Sequence, residues 1–236
     1  MGAKVVEVEM PALTHDLSLM QEAVSEKTKL VFLPSPNNPT GTANSEAEIG
    51  EFIHSLPPHV IFCFDEAYAE YLDSPPDLRP FIKEGRKVIC LRTFSKIHGL
   101  AALRIGYGYG SDEMIRLLQQ ARQPFNVNAV AQAAAVAALS DHDWVLNCQK
   151  HNRDGLQQLS RGLEQLGIEY IPSQANFILA KPGNGRSLFL ELQKQGVITR
   201  ALGPSLADYL RISVGTEEEN IRLLTSLEKV LQVNGA

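Results

Sequence analysis

Short apolar runs alternate with helix-like stretches through the first half of the chain, and this alternation constrains its fold more than any other feature. Runs at 4–8, 30–33, 60–64, 88–91 and 104–109 have strand length, and helical spacing lies between them. That is the pattern of a mostly parallel sheet covered by helices. The clearest helix follows Ser45: Ser45 and Glu48 have capping-box spacing, and Ile49, Phe52, Ile53 and Leu56 then recur on one face. Helical signal dominates from 111 to 166, where the small side chains of 129–138 allow close helix packing. Further on, 176–180, 197–200 and 209–214 read as strands, and a last helix starts at Thr216 with Glu219 completing a second capping box. Glu217 and Glu218 suit the positive end of that helix. The sequence therefore predicts an α/β unit over 1–138 and a smaller α+β unit over 139–236, joined by continuous helix near 125–150.

Composition narrows the function classes. A chain of 236 residues, 44% hydrophobic and 21% charged, can bury a core without disulfide or metal staples. Its net charge of −5 and scattered basic residues argue against nucleic acid as a partner. The longest weakly polar stretch, 129–139, is interrupted by Gln132 and falls short of the ~20 apolar residues that span a bilayer, so no membrane is expected. Residues 1–10 alternate in charge without an apolar core, so neither a secretion signal nor a transit peptide is expected. Cys63, Cys90 and Cys148 read as reduced thiols of a cytoplasmic protein. No metal is expected: Asp141-His142-Asp143 lacks a second ligand cluster and reads as a solvated helix start. The glycines of 106–110 lack dinucleotide-fingerprint spacing.

Four segments break the amphipathic patterns, each after or within an expected strand, and ligands of open α/β sheets bind outside the carboxyl ends of strands. The first, 34–42, holds three prolines and two asparagines; it is a rigid turn that suits either a tight loop or a site. The second is the acidic pair Asp65-Glu66, where Asp65 at a buried strand end either needs a partner or caps a helix. In the third, Thr93, Ser95, Lys96 and Arg104 form a set able to grip a phosphate while presenting an amine. The fourth places Arg211 among apolar residues of a strand, either as a surface side chain or as a fixed guanidinium for carboxylate or phosphate.

Taken in this order, these segments resemble the fold-type-I, pyridoxal-phosphate-dependent aminotransferases of class I/II, and among them the histidinol-phosphate aminotransferases. The resemblance is carried by SPNNPTGT at 35–42, FDEAYAEY at 64–71, TFSKIHGLAALRIGY at 93–107, RQPFNVNAVAQAAAVAAL at 122–139, ANFIL at 175–179 and DYLRISVGTEEEN at 208–220. It implies a large domain built on a mostly parallel sheet and a smaller C-terminal α+β domain. It also implies pyridoxal 5'-phosphate, a small-molecule amino donor, a 2-oxo acid acceptor and a homodimer. By resemblance, Lys96 joins covalently to the cofactor aldehyde and moves the proton, and Asp65 pairs with the pyridine nitrogen. Asn38 and Tyr68 would hydrogen-bond the phenolic oxygen, and Thr93, Ser95 and Arg104 would hold the phosphate. Arg211, with Arg200, would bind the substrate's anionic end, since a guanidinium fork matches carboxylate and phosphate alike. The implied reaction is histidinol phosphate with 2-oxoglutarate, giving imidazole acetol phosphate and glutamate in histidine biosynthesis. An aromatic aminotransferase, a phosphothreonine-type decarboxylase or an inactive fragment are the alternatives.

Family members carry a substantial portion before the segment matching 2–8, with a phosphate-binding turn, an aromatic stacked on the cofactor and a tyrosine that reaches the partner subunit. A stacked aromatic and a helix N-terminus are each worth ~1–2 kcal/mol, so weakened cofactor affinity is the expectation for this chain. Ala102 stands where the family often has glycine, a mild change unless the backbone there requires positive φ.

Overall fold

The computed structural model describes residues 2–234, and the chain forms two compact units: Met1–Asn37 with Ala43–Val145, and Asn38–Thr42 with Leu146–Ala236. The division falls between Val145 and Leu146, whereas the sequence places it at 138/139, and the turn Asn38–Thr42 groups with the second unit.

In chain order the first unit contains α1 (Leu17–Glu22), β1 (Leu30–Pro34), α2 (Glu46–Ser55), β2 (Ile61–Asp65), α3 (Arg79–Lys83), β3 (Val88–Thr93), β4 (Gly106–Gly110), α4 (Asp112–Ala121) and α5 (Ala129–Ser140). Its sheet has the order β1-β2-β3-β4, parallel from β1 to β3, with β4 antiparallel to β3. The capping box at α2 forms as its spacing predicts: Ser45 Oγ accepts from the Glu48 amide and the Glu48 carboxylate accepts from the Ser45 amide. This fixes the phase of the helix, so Ile49, Phe52 and Ile53 pack onto Val31, Leu33, Phe62, Phe64, Val88 and Cys90 of the sheet. Phe52 meets Phe62 edge to face at 5.8 Å. The opposite sheet face keeps Phe32 62% and Leu91 38% exposed. At β4, Gly106 and Gly110 bring their α-carbons against the Arg92 and Val88 carbonyls, 2.6 and 2.9 Å from where a Cβ would stand. The glycines at 106 and 110 are thus explained by packing.

Residues 4–8 form no strand; Val5 and Val6 are 78% and 60% exposed. Their alternation matches a strand, but a strand needs a neighbour to pair with, and no described strand pairs with them. The expected continuous helix near 125–150 is two helices, because α5 stops at Asp141, whose carboxylate accepts from the Trp144 amide and caps the next helix.

The second unit contains most of α6 (His142–Gln165), then β5 (Glu169–Ile171), β6 (Phe177–Lys181), α7 (Gly185–Lys194), β7 (Arg200–Ala201), β8 (Leu210–Ser213) and α8 (Glu217–Asn234). Its sheet, β5-β6-β8-β7, is antiparallel throughout. Leu210 and Ile212 join Leu159, Leu188 and Leu227 in the core, which leaves Arg211 on the other face. The second capping box also forms, Thr216 with Glu219. A side chain at Gly185, the first residue of α7, would run into the carbonyl oxygen of Tyr209. Gly185→Ala is therefore expected to cost about 1–3 kcal/mol, read as a lowered melting midpoint, because backbone cannot yield as a flexible side chain does.

Cys63 and Cys90 are buried and free, and burial pushes the Cys90 thiol up to about 12. No helix among the described residues is long and apolar enough to cross a membrane, and no cluster of three metal-ligating side chains occurs among them.

Candidate active site

The parallel register aligns the ends of β2 and β3, pairing Asp65 with Leu91, so the chain leaving both strands emerges on one edge of the sheet. Six of the residues singled out from sequence lie on these exits and on the return to β4. Asp65 closes β2, and its Oδ1 accepts from the Ala67 amide at 3.0 Å in a tight Asx turn. The turn brings the Tyr68 ring, 5% exposed, beneath Lys96, whose Nζ stands 5.2 Å from the ring centroid. Thr93 closes β3 and its hydroxyl accepts from the Ser95 amide at 3.0 Å, which bends the chain and presents Ser95 and Lys96. Trp144 holds the far side of this turn by donating from Nε1 to the Ile97 carbonyl at 2.7 Å.

Arg104 lies close by. Its Nη1 reaches Ser95 Oγ at 3.4 Å and the Ala101 carbonyl at 2.8 Å. Its backbone is left-handed, with φ 54° and ψ 53°, a conformation that costs a non-glycine residue roughly 1–2 kcal/mol. Ala102 is in a 3-10 turn and is not among the residues with positive φ, so alanine fits there without strain. His98, two residues past Lys96, packs its ring at a tilt against Phe94, centroids 5.1 Å apart, and its Nδ1 has no hydrogen-bond partner among the described residues. Burial, aided by the Arg92 charge, holds His98 below the usual imidazole range.

The acidic pair divides its roles differently from the sequence expectation of a buried Asp65. Asp65 is exposed, while Glu66 is 0% exposed. Glu66 accepts from Arg92 Nε at 3.2 Å, from Arg92 Nη2 at 3.3 Å and from the Tyr109 hydroxyl at 2.8 Å. Arg92 Nη1 also lies 3.5 Å from Glu70 Oε1. Burial works against the Arg92 charge, but the hydrogen bonds and charge of Glu66, with Glu70, outweigh it and hold its pKa above the ordinary value. Burial pushes the Glu70 carboxyl up. Glu66 and Arg92 drew no role from the sequence, yet each is in phase with its strand's core positions: Glu66 with Phe62 and Phe64, Arg92 with Val88 and Cys90.

In the second unit Arg211 occupies β8 directly opposite Arg200 on β7 and Leu179 on β6. Its guanidinium carbon stands 5.1 Å over the Phe177 ring, and its Nη1 donates to Asn38 Oδ1 at 2.6 Å. The Nε of Arg211 is buried and has no partner among the described residues. Arg200 is exposed and shares the face of Arg211, so two like charges face each other across the ladder, an arrangement that is unfavourable without an anion between them. Asn38, expected from sequence at a cofactor oxygen, therefore spends its carbonyl on the guanidinium.

The profile of the class I and II aminotransferases matches residues 1–227. Histidinol-phosphate aminotransferase of Akkermansia muciniphila is 44% identical over 232 residues, and histidinol-phosphate aminotransferase 1 of Dechloromonas aromatica is 43% identical over 235. These alignments cover 98% of this chain and 64% of each relative, so the chain spans about two thirds of their length. Among solved structures, the Sinorhizobium meliloti histidinol-phosphate aminotransferase in complex with pyridoxal-5'-phosphate superposes with a TM-score of 0.91 at 29% identity, over 99% of this chain and 66% of that one. A Thermus thermophilus aspartate aminotransferase double mutant superposes with a TM-score of 0.82 at 26% identity, over 98% of this chain and 64% of that one. With its profile matched from 1 to 227, the chain belongs to the class I and II aminotransferases.

Proposed function

We propose that this chain acts as a pyridoxal-phosphate-dependent aminotransferase that moves the amino group of histidinol phosphate to 2-oxoglutarate, giving imidazole acetol phosphate and glutamate. The observation that carries this reading is the gathering of Lys96, Tyr68, Asp65, Thr93, Ser95 and Arg104 at the exits of two parallel strands and the return to the next. The names of the relatives above support the choice of donor.

The donor set fits the cofactor. An aldehyde needs an amine, a phosphate needs hydroxyl and guanidinium donors, and a protonated pyridine needs a carboxylate; Lys96, Ser95 with Arg104, and the exposed Asp65 supply them. When bound, pyridoxal phosphate supplies an electron sink for the pair left as the substrate Cα–H bond breaks. Lys96 Nζ, placed over Tyr68, would take that proton from the substrate Cα as general base and return it as general acid to the carbon that was the cofactor's aldehyde carbon. The Asp65 carboxylate holds a proton on the ring nitrogen, and Arg104, Ser95 and Thr93 bind the phosphate. The Asn38 amide N–H, left over by the bond from its carbonyl to Arg211, and the Tyr68 hydroxyl are each donors of the kind that the phenolic oxygen needs. Arg211, aligned by Asn38 and Phe177, receives the donor's phosphate in one half-reaction and the acceptor's carboxylate in the other, with Arg200 beside it. A cytoplasmic homodimer is the setting we assign, supported by the free buried cysteines and by exposed Val130, Val136 and Leu139 on α5.

Steady-state rates with a donor panel test the reading. Losing the charge-assisted bonds of the phosphate, at about 1.5–3 kcal/mol each, should lower kcat/KM for histidinol at least about 10²-fold below histidinol phosphate. Equal rates on the two would overturn the donor assignment, carbon dioxide release from phosphothreonine would favour decarboxylation, and no turnover of any donor would overturn the activity.

A further inference from the structure

Glu66 directly follows Asp65, and Arg92 directly precedes Thr93. Their two-pronged pair, 3.2 and 3.3 Å, therefore joins the exits of β2 and β3 one residue beyond the last aligned position, Asp65 with Leu91. The Glu66 amide also donates to the Leu91 carbonyl at 2.8 Å. From the same guanidinium Nη1 approaches Glu70, in the 3-10 turn Ala69–Tyr71, so Arg92 holds the chain on both sides of Tyr68. Tyr109 of β4 adds a third strand by donating to Glu66. One fully buried carboxylate and one guanidinium thus fasten the three segments that carry Asp65, Tyr68 and Thr93 through Lys96.

We propose that Glu66, Arg92 and Glu70 form a positioning clamp that sets the spacing between Asp65, Tyr68 and the Thr93–Lys96 turn. The role rests on reading that turn as the cofactor site. A buried ion pair is weak evidence for stability, since apolar residues of similar volume often replace such a pair without loss. A planar guanidinium bound at fixed angles does fix geometry, and two apolar side chains would leave the strand exits free to shift. At a site where a group must meet a carboxylate, a ring and an amine at once, that spacing decides affinity.

The test compares the full chain with the double variant Glu66→Met/Arg92→Met by amide hydrogen exchange and by fluorescence titration with pyridoxal phosphate. The expected result is a lowered melting midpoint, because Tyr109 and Glu70 lose these partners, with the variant still folded and α2 protected as before. Exchange in 65–71 and 93–97 should rise, and half-saturation by the cofactor should weaken, each by about tenfold, the scale of one lost charge-assisted hydrogen bond. Unchanged exchange in both segments would overturn the clamp. An even rise across the first unit, α2 included, would also overturn it, marking the pair as ordinary structural support. Should the double variant fail to fold, Glu66→Gln, which retains shape and loses charge, is read by the same criteria. If the unsubstituted chain binds no pyridoxal phosphate, the proposed function fails, whereas the exchange pattern still decides the clamp.

Discussion

Lys96→Ala is expected to abolish amine transfer from every donor, with kcat falling by at least about 10²–10⁴-fold, the range that a positioned proton-transfer group supplies. The loss should appear in kcat, because the role proposed for Lys96 is at the reacting carbon rather than at the phosphate. It should leave the fold intact: Lys96 is half-buried, makes its contact with the Tyr68 ring and lies outside the main core. Lys96→Arg restores positive charge over the ring and should restore nothing, since a guanidinium neither gives up its proton nor joins an aldehyde. Activity persisting in either variant would assign the proton transfer to another group.

Arg211→Ala is expected to raise KM for histidinol phosphate by roughly 10²-fold or more, the effect of removing a partly desolvated guanidinium from a bound anion at about 2–5 kcal/mol. Stability should change little, because Arg211 projects from the sheet face opposite Leu210 and Ile212, where it meets Asn38 and the Phe177 ring outside the apolar core. Arg211→Lys should recover a small part of the loss, because an ammonium on a flexible stem cannot make the paired bonds of the fork. Arg200→Ala should have a smaller effect than Arg211→Ala, since Arg200 is exposed at the end of a two-residue strand. A KM unchanged in Arg211→Ala would remove this residue from substrate binding.

Much of this architecture was legible because its signals are local. Capping boxes at Ser45 and Thr216 need only a four-residue pattern, and both form. The parallel strands show as apolar runs because neighbours bury them, as Phe62 and Phe64 are buried. Residues 4–8 have the same local pattern without a pairing partner, which no local pattern reveals. β5 is only three residues long and α1 only six, too short for periodicity to stand out. Within the site, Lys96, Thr93, Ser95 and Arg104 were legible as a cluster of donors that core packing does not explain. The division of labour between Asp65 and Glu66 was not, because adjacent carboxylates look alike until strand phase is followed past the end of the apolar run. Carried on from Phe62 and Phe64, that phase sends Glu66 into the core to meet Arg92 and leaves Asp65 outside. The Asn38–Arg211 bond joins positions 173 apart in sequence, a separation at which only the fold brings two side chains together.

Borohydride trapping of pyridoxal phosphate on the 236-residue chain tests the central claim most directly. The purified chain is mixed with the cofactor, its visible spectrum is recorded, borohydride is added, and the digested protein is read by peptide mass. Assembly of the site predicts a yellow band that borohydride bleaches and a stable cofactor adduct confined to the peptide containing Lys96. An absent band, or label spread over surface lysines such as Lys150 and Lys194 with none preferred at Lys96, would contradict it.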